Sequence, residues 1–127
     1  MKKKLAKRYL IKKLDSLVAK VLRKREDCCQ KCGGTSYLHT SHVIPKSAGF
    51  KLRWDLNNVM LLCHHHHLNW WHKNPIEAGE WFCTTFPSRW EYLQNNRGIK
   101  KFSVEEMKEL IEKLKGWGPR HIGQLNI

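Results

Sequence analysis

The chain has 127 residues and a formal net charge of +13, which predicts a single domain and favours a polyanionic partner. Nucleic acid is the first candidate partner and an anionic membrane surface is the second. The sequence has no apolar run of about 18 residues, which excludes a membrane-spanning segment. The basic N-terminus has no continuous apolar run behind it, so we expect no secretory signal. We therefore expect a cytoplasmic protein.

The N-terminal segment, residues 1–26, is the most basic part of the chain. It carries eleven Lys/Arg and two acidic residues, and so holds +9 of the net charge. Its apolar residues recur at helical spacing: Leu5, Leu10, Leu14, Leu17, Val18, Val21 and Leu22. This pattern predicts a helix over about residues 4–25. We expect its apolar stripe to pack on the domain or on a second subunit. The alternative to a phosphate-binding basic face is an ordinary solvated face.

The elements that follow are short and separated by turn-forming residues. Residues 28–34 resemble a metal knuckle, because Gly33 and Gly34 allow a tight turn. The composition then predicts a strand at 35–44, an irregular loop at 45–51, a strand at 59–62 and a helix from Cys63 that ends before Pro75. Further helices are predicted at 77–86, at 89–95 and from the Ser103 capping box to Gly116. We expect the tail, 117–127, to be poorly ordered.

Two close-spaced pairs of ligand residues stand 30 residues apart, Cys29-x2-Cys32 and Cys63-x2-His66. Each pair can supply two ligands from one turn while the intervening chain folds back, which is how tetrahedral zinc sites are built. The spacing predicts a closed Cys3His site for structural zinc. Because such a site does not exist in the unfolded chain, its binding energy would contribute to folding.

Several neighbouring residues are alternatives to this ligand set. His64, His65 and His67 all lie close to the fourth position, and we choose His66 because it keeps the x2 spacing. Cys28 would give an x3 spacing with Cys32. Ordinary buried thiols in a surface turn are the alternative to a metal site. Cys83 has no partner in the sequence, and we expect it to be a small core residue.

A second group of residues has the types needed to cut a phosphodiester. His42 stands at the end of the predicted strand, before a proline-containing loop, where an exposed imidazole can act as a general base near neutral pH. The Asn58 side chain can hydrogen-bond backbone across that loop. His67, on the first turn of the next helix, can present a ring nitrogen to a catalytic ion.

The order His42, Asn58, His67, framed by the two Cys/His pairs, resembles the HNH endonucleases of the ββα-metal (His-Me finger) class. Residues 41–45, SHVIP, are similar to the family string xHIxP, and residues 58–63, NVMLLC, are similar to N-L-x-x-L-C. The resemblance covers roughly residues 28–75. A weaker likeness, carried by RWDL at 53–56 and by the Trp-rich segment from Trp70, is to phage recombination nucleases of the Rap/NinG type.

The resemblance implies a role for each matching residue. It implies that His42 is the general base, that Asn58 positions the loop and that His67 binds the catalytic ion. The implied ion is Mg²⁺, Mn²⁺ or another divalent metal, because an imidazole site accepts several.

Two positions depart from the family pattern. Ser41 stands where many members have a second ligand of the ion, so His39 or His72 would have to help. Strand alternation places His39 opposite His42, and an α-helix separates His67 from His72 by about 140°, so both need a bend. In the zinc set, His66 stands where the family usually has cysteine.

The implied fold class is α+β and mostly helical, with a small ββα-metal core, a structural zinc site and flanking N- and C-terminal helices. It would form one HNH nuclease domain over 1–127. Its parts are a basic helix (1–27), an HNH/zinc core (28–75), a helical extension (76–116) and a tail (117–127). The candidate phosphate contacts are Lys46, Lys51, Arg53, Lys73, Arg23, Lys24 and Arg25. Such contacts position DNA without reading its sequence.

The sequence therefore predicts a metal-dependent DNA endonuclease that uses a one-metal mechanism, with DNA as partner and no membrane. The resemblance implies a phage-encoded protein acting in recombination, processing or packaging in the bacterial host cytoplasm, with phage recombination or packaging proteins as further partners. A homodimer is one expected assembly, because two sites cut two strands most simply. One alternative is a non-catalytic, zinc-stapled module that binds nucleic acid. Another is a phage accessory protein that acts through protein contacts.

Overall fold

The computed structural model describes residues 2–117 and is mostly helical with one small sheet. Its helices are α1 (Lys2–Arg25), α2 (Pro75–Thr85), α3 (Pro87–Asn95) and α4 (Val104–Lys115), its strands are β1 (Leu38–His42) and β2 (Val59–Cys63), and a π-helix spans His65–Trp71. Short 3₁₀ turns occupy Lys46–Ala48 and Leu56–Asn58. The predicted tail lies outside the described residues apart from Trp117. Within residues 2–117, no helix is both long and apolar enough to cross a membrane.

The sheet has two antiparallel strands, and β2 lies at the centre of the molecule. His42 pairs with Val59 and Leu38 pairs with Cys63. The side chains of β2 alternate between two cores. Val59 and Leu61 pack with α1 and α4, whereas Met60 and Leu62 pack with residues of α2 and α3. This double burial explains why β2 reads as a continuous apolar run.

Helix α1 confirms the sequence prediction and packs its apolar stripe on the domain itself. Leu14, Val18 and Leu22 are almost completely buried, and α4 is its main partner. Helix α4 begins at the predicted capping box: Ser103 Oγ accepts from the Glu106 amide, and a Glu106 carboxylate oxygen accepts from the Ser103 amide, each across 3.1 Å. Helices α1 and α4, which stand at the two ends of the described chain, thus cover one face of the sheet.

The backbone polar groups on the edge of β2 that faces away from β1 are hydrogen-bonded by side chains and by the metal knuckle. The carbonyl of Val59 accepts from Arg25 at 2.7 Å and from Arg89 at 3.0 Å. The amide of Leu61 donates to Glu26 at 2.9 Å. Arg25 also pairs with Glu26, and only 9% of its side chain is exposed. We predicted that Arg25 contacts phosphate. This prediction is wrong, because its guanidinium is hydrogen-bonded to backbone carbonyls and to Glu26 inside the protein.

Several predicted boundaries differ from the structure, two of them markedly. Strand β1 is shorter than the predicted 35–44. The helix predicted to start at Cys63 is a π-helix over His65–Trp71, in which the amide of His72 donates to the carbonyl of His67 five residues earlier. Pro75 then opens α2 at its first turn, where the missing N–H of proline has no cost.

Candidate functional site

Four ligand atoms meet between the knuckle and the start of the π-helix. They belong to Cys29, Cys32, Cys63 and His66 and lie within 4.8 Å of one another. The Sγ atoms of Cys32 and Cys63 are 3.9 Å apart, and Cys63 Sγ is 3.2 Å from Nδ1 of His66. Tetrahedral zinc with Zn–S bonds of about 2.3 Å places its sulfur ligands roughly 3.8 Å apart. The cluster therefore fits one zinc ion, and the fourth ligand atom is that of His66.

The local backbone explains how this cluster forms. Gly33 has φ +79°, and its amide donates to the Cys29 carbonyl at 2.8 Å, which closes the turn between the two cysteines. The Gln30 amide donates to the Leu61 carbonyl at 2.9 Å and so fastens the knuckle to β2. Burial lowers the pKa of His66, which favours the neutral imidazole that a metal requires.

Asn58 is fully buried and ties together the two ends of the loop after β1. Its Oδ1 accepts from the Ile44 amide at 2.7 Å, and its Nδ2 donates to the carbonyls of Ile44 at 3.0 Å and Leu52 at 3.1 Å. The Asn58 backbone carbonyl accepts from Val43 at 2.8 Å. These contacts agree with the predicted loop-positioning role.

The loop after β1 holds the ring of His42, and the π-helix holds its backbone. Its Nε2 lies 3.0 Å from the carbonyl oxygen of Arg53, so Nε2 carries the proton and donates, and Nδ1 is left to accept a proton. Trp71 of the π-helix donates to the His42 carbonyl at 3.1 Å. Burial lowers the pKa of His42, and the Arg53 carbonyl offsets this only in part. The lowered pKa favours the neutral form of His42 at pH 7.

His67 stands between two other histidines. Its Nδ1 is 2.9 Å from Nδ1 of His39, and its Nε2 is 3.0 Å from Nε2 of His72. Burial lowers the pKa of His67 to about 4, and the neighbouring imidazoles, His72 foremost, act in the same direction. A neutral ring has one N–H, so His67 donates in one contact and accepts in the other. The prediction that an α-helix separates His67 from His72 is wrong here, because the π-helical bond brings residues five apart together.

A cleft of about 890 Å³ brings His42, His67 and His72 together. His39 is absent from its lining and approaches His67 from the other side. Ser41 is fully buried, and its hydroxyl has no hydrogen-bond partner among the described residues. Ser41 therefore points into the protein interior and offers no ligand to the cleft.

The residues predicted to contact phosphate lie at different places in the structure. Lys46 and Arg53 line the cleft, but Arg53 is paired with Asp15 at 2.7 Å. Lys24, Lys51 and Lys73 are exposed at other places on the surface. Arg23 donates to the backbone carbonyls of Ala19 and Leu38.

Asp15 is a site residue that the sequence analysis missed. Its carboxylate accepts from Arg53 Nε and Nη2 at 3.0 and 2.7 Å and from Trp54 Nε1 at 2.8 Å. Burial alone would raise the pKa of Asp15, but the hydrogen bonds from Arg53 and Trp54 outweigh it and keep that pKa low. The available signal was that Asp15 is the one acidic residue of α1. Asp15 fixes the backbone segment whose carbonyl orients His42.

Comparison of the chain with protein-family models, with curated proteins and with solved structures finds no significant match. The candidate site therefore rests on the residues and their geometry.

Proposed function

We propose that the protein is a metal-dependent DNA endonuclease of the HNH type. The observation that carries the proposal is the placement of His42 and His67 on one cleft, with the loop between them fastened by Asn58. A proton acceptor and a ligand for a cation are the two groups that phosphodiester hydrolysis needs most. The family assignment itself rests on the sequence motifs.

His42 supplies the general base in this proposal. Its Nε2–H is held by the Arg53 carbonyl, so Nδ1 can take a proton from an attacking water molecule. As the water oxygen bonds to phosphorus, the P–O3′ bond breaks and the 3′ oxygen leaves with the electron pair. The lowered pKa of His42 keeps the acceptor nitrogen free at neutral pH.

His67 and His72 are the groups that would hold the catalytic ion. Their Nε2 atoms face each other at 3.0 Å, and both residues line the cleft. His39 then has a supporting role, because its Nδ1 can accept the Nδ1–H of His67 and so leave Nε2 of His67 free to bind metal. A divalent ion bound there, Mg²⁺ or Mn²⁺, supplies Lewis-acid stabilisation of the charge on the phosphate.

DNA is the substrate that the charge favours. The net charge of +13 attracts a polyanion, and the exposed Lys46 stands on the rim of the cleft beside His42. The zinc cluster has a separate, structural role, since it fastens the knuckle to the first turn of the π-helix. A phage origin and a role in recombination, processing or packaging remain part of the proposal and rest on the sequence resemblance.

Plasmid cleavage tests the proposal. Purified protein is incubated with supercoiled plasmid in Mg²⁺, Mn²⁺, Co²⁺ or Ni²⁺ and compared with His42→Ala. We expect nicked or linear product from the wild type and at least about a hundredfold less from the variant. A His65→Ala variant is the matched control, because His65 lies outside the cleft lining.

The buried Ser41 favours one rival function, a zinc-stapled module that binds nucleic acid without cutting it. Ser41 cannot supply the second ligand that the family usually has. DNA binding without cleavage in any of the four metals would support this rival and overturn the nuclease proposal. Equal cutting by the wild type and His42→Ala would also overturn it, because that activity would belong to a contaminant or to another site.

A further inference from the structure

A second groove opens beside the catalytic cleft, and its rim is basic. It has a volume of about 470 Å³, and four lysines line it: Lys7, Lys46, Lys100 and Lys101. Lys46, Lys100 and Lys101 are exposed, and Lys7 is half-buried. Lys100 is paired with Glu106 at 2.9 Å. The lysines come from α1, from the loop after β1 and from the segment before α4, so the fold collects charges that are distant in sequence.

The groove is continuous with the cleft. Lys46 and Ser47 line both, so a chain that leaves the cleft past them enters the groove directly. Two backbone segments are in close contact in the wall of the groove here. Gly49 has φ +111°, and a Cβ at this position would collide with the carbonyl of Gly98. The loop after β1 and the segment before α4 are therefore packed backbone to backbone.

The floor of the groove is apolar. Phe50 and Phe102 line it and are supported from below by Trp54, whose ring lies 5.2 Å from that of Phe50 and 5.0 Å from that of Phe102. Ile99 stands at the edge with 88% of its surface exposed. Duplex DNA presents phosphates on its outside and keeps its bases stacked inside, so a duplex cannot place a base against this apolar floor. An unpaired base can, because its face is apolar.

We propose that this lysine-rimmed groove binds a single-stranded segment of nucleic acid that continues from the catalytic cleft. Lys7, Lys46 and Lys101 contact the phosphates, and one or two unstacked bases lie against Phe50, Phe102 and Ile99. The volume lies within the roughly 300–1,000 Å³ of small-ligand pockets, which suits nucleotide units and not a duplex. The inference rests on the proposed function, which places the cut site in the cleft. It names the substrate class as DNA with an unpaired flank at the cut site.

Binding is measured by fluorescence anisotropy without added divalent ion, so that no cleavage intervenes. The probes are a blunt hairpin duplex and the same hairpin with a ten-nucleotide single-stranded tail. We expect the tail to tighten binding by wild-type protein about tenfold. The Lys7→Glu/Lys101→Glu variant should lose this gain, and its plot of log affinity against log salt should flatten by about 0.7 for each lost phosphate contact.

Two further variants separate charge in the groove from charge in general. Lys20→Glu/Lys108→Glu makes the same charge change on exposed residues of α1 and α4 that do not line the groove. It should weaken both probes equally and keep the gain from the tail. Ile99→Ser, which leaves the charge unchanged, should reduce the gain for the tailed probe only. Circular dichroism and zinc content confirm that each variant is folded.

A tail that gives wild type no advantage would overturn the groove proposal, as would a gain that survives in Lys7→Glu/Lys101→Glu. Neither result depends on cleavage, so the groove can fail while the nuclease proposal stands. Conversely, a protein that gains affinity from the tail but cuts nothing in any metal would support the groove proposal and overturn the nuclease proposal.

Discussion

The Nε2–H of His42 donates to the backbone carbonyl of Arg53 across 3.0 Å, and this contact decides which ring nitrogen can accept a proton. The carbonyl is held in place because the Arg53 guanidinium is clamped by Asp15. An acidic residue of the N-terminal helix therefore stabilises the orientation of the proposed general base.

The first prediction concerns the pH dependence of cleavage. His42 acts as a base only when neutral, and burial lowers its pKa below the ordinary 6.5. The rate should therefore be flat in the neutral range and fall only as the pH drops through this lowered pKa. Single-turnover rates from pH 5 to 8 measure this, with zinc content and circular dichroism checked at each pH. A rate that keeps rising tenfold per unit between pH 7 and 8 would contradict a His42 base.

The second prediction concerns the zinc cluster. Cys63→Ser removes a ligand from the set that lies within 4.8 Å, so the variant should lose its zinc and melt more than about 10 °C lower. His66→Cys should keep the metal, because zinc accepts thiolate and imidazole alike. Zinc content after gel filtration and thermal melting measure both effects. His65→Ala is the control, and zinc loss in that variant instead of Cys63→Ser would show that the ligands are misassigned.

The third prediction concerns Asn58. Asn58→Ala deletes three buried hydrogen bonds and leaves backbone groups of Ile44 and Leu52 without a partner. We expect the free energy of unfolding to fall by about 3 kcal/mol. Urea denaturation measures it.

The neighbouring Asn57 is the matched control for this experiment. It is also buried, but its Oδ1 has no hydrogen-bond partner among the described residues. Asn57→Ala should therefore cost about 1 kcal/mol or less. Equal losses in the two variants would mean that the contacts of Asn58 do not hold the loop.

The fourth prediction concerns the ligands of the proposed catalytic ion. If His72 shares the ion with His67, then His72→Ala should weaken Mn²⁺ binding about tenfold, as loss of one ligand or its support does. Free Mn²⁺ is measured by electron paramagnetic resonance on zinc-loaded protein. His65→Ala should bind Mn²⁺ like the wild type. Unchanged affinity in His72→Ala would remove this residue from the site.

Local patterns in the sequence predicted several elements well. The spacing of apolar residues placed α1 because its stripe is long, and Ser103 with Glu106 placed the start of α4 because both capping bonds are local. The four residues of the Cys/His cluster, which could hold a zinc ion, were found because x2 spacing follows from the geometry of a single turn. Features that depend on only a few neighbouring residues are the ones that a single sequence carries.

Features that depend on distant parts of the chain were missed. Arg25 has the same charge as the exposed Lys24 beside it, but it bonds to carbonyls more than 30 residues away. The contact between His67 and His72 depends on a π-helix, and no local rule distinguished this from an α-helix. Asp15 meets Arg53 only because α1 folds back across the loop.

The measurement that tests the central claim most directly is the single-turnover cleavage of a labelled DNA by saturating protein in Mn²⁺. We predict that His42→Ala lowers the rate constant by a factor of about 10²–10⁴, while its affinity for the same DNA stays within about twofold of wild type. A His42→Ala protein that cuts at the wild-type rate, or a wild type that binds this DNA and never cuts it, would contradict the account.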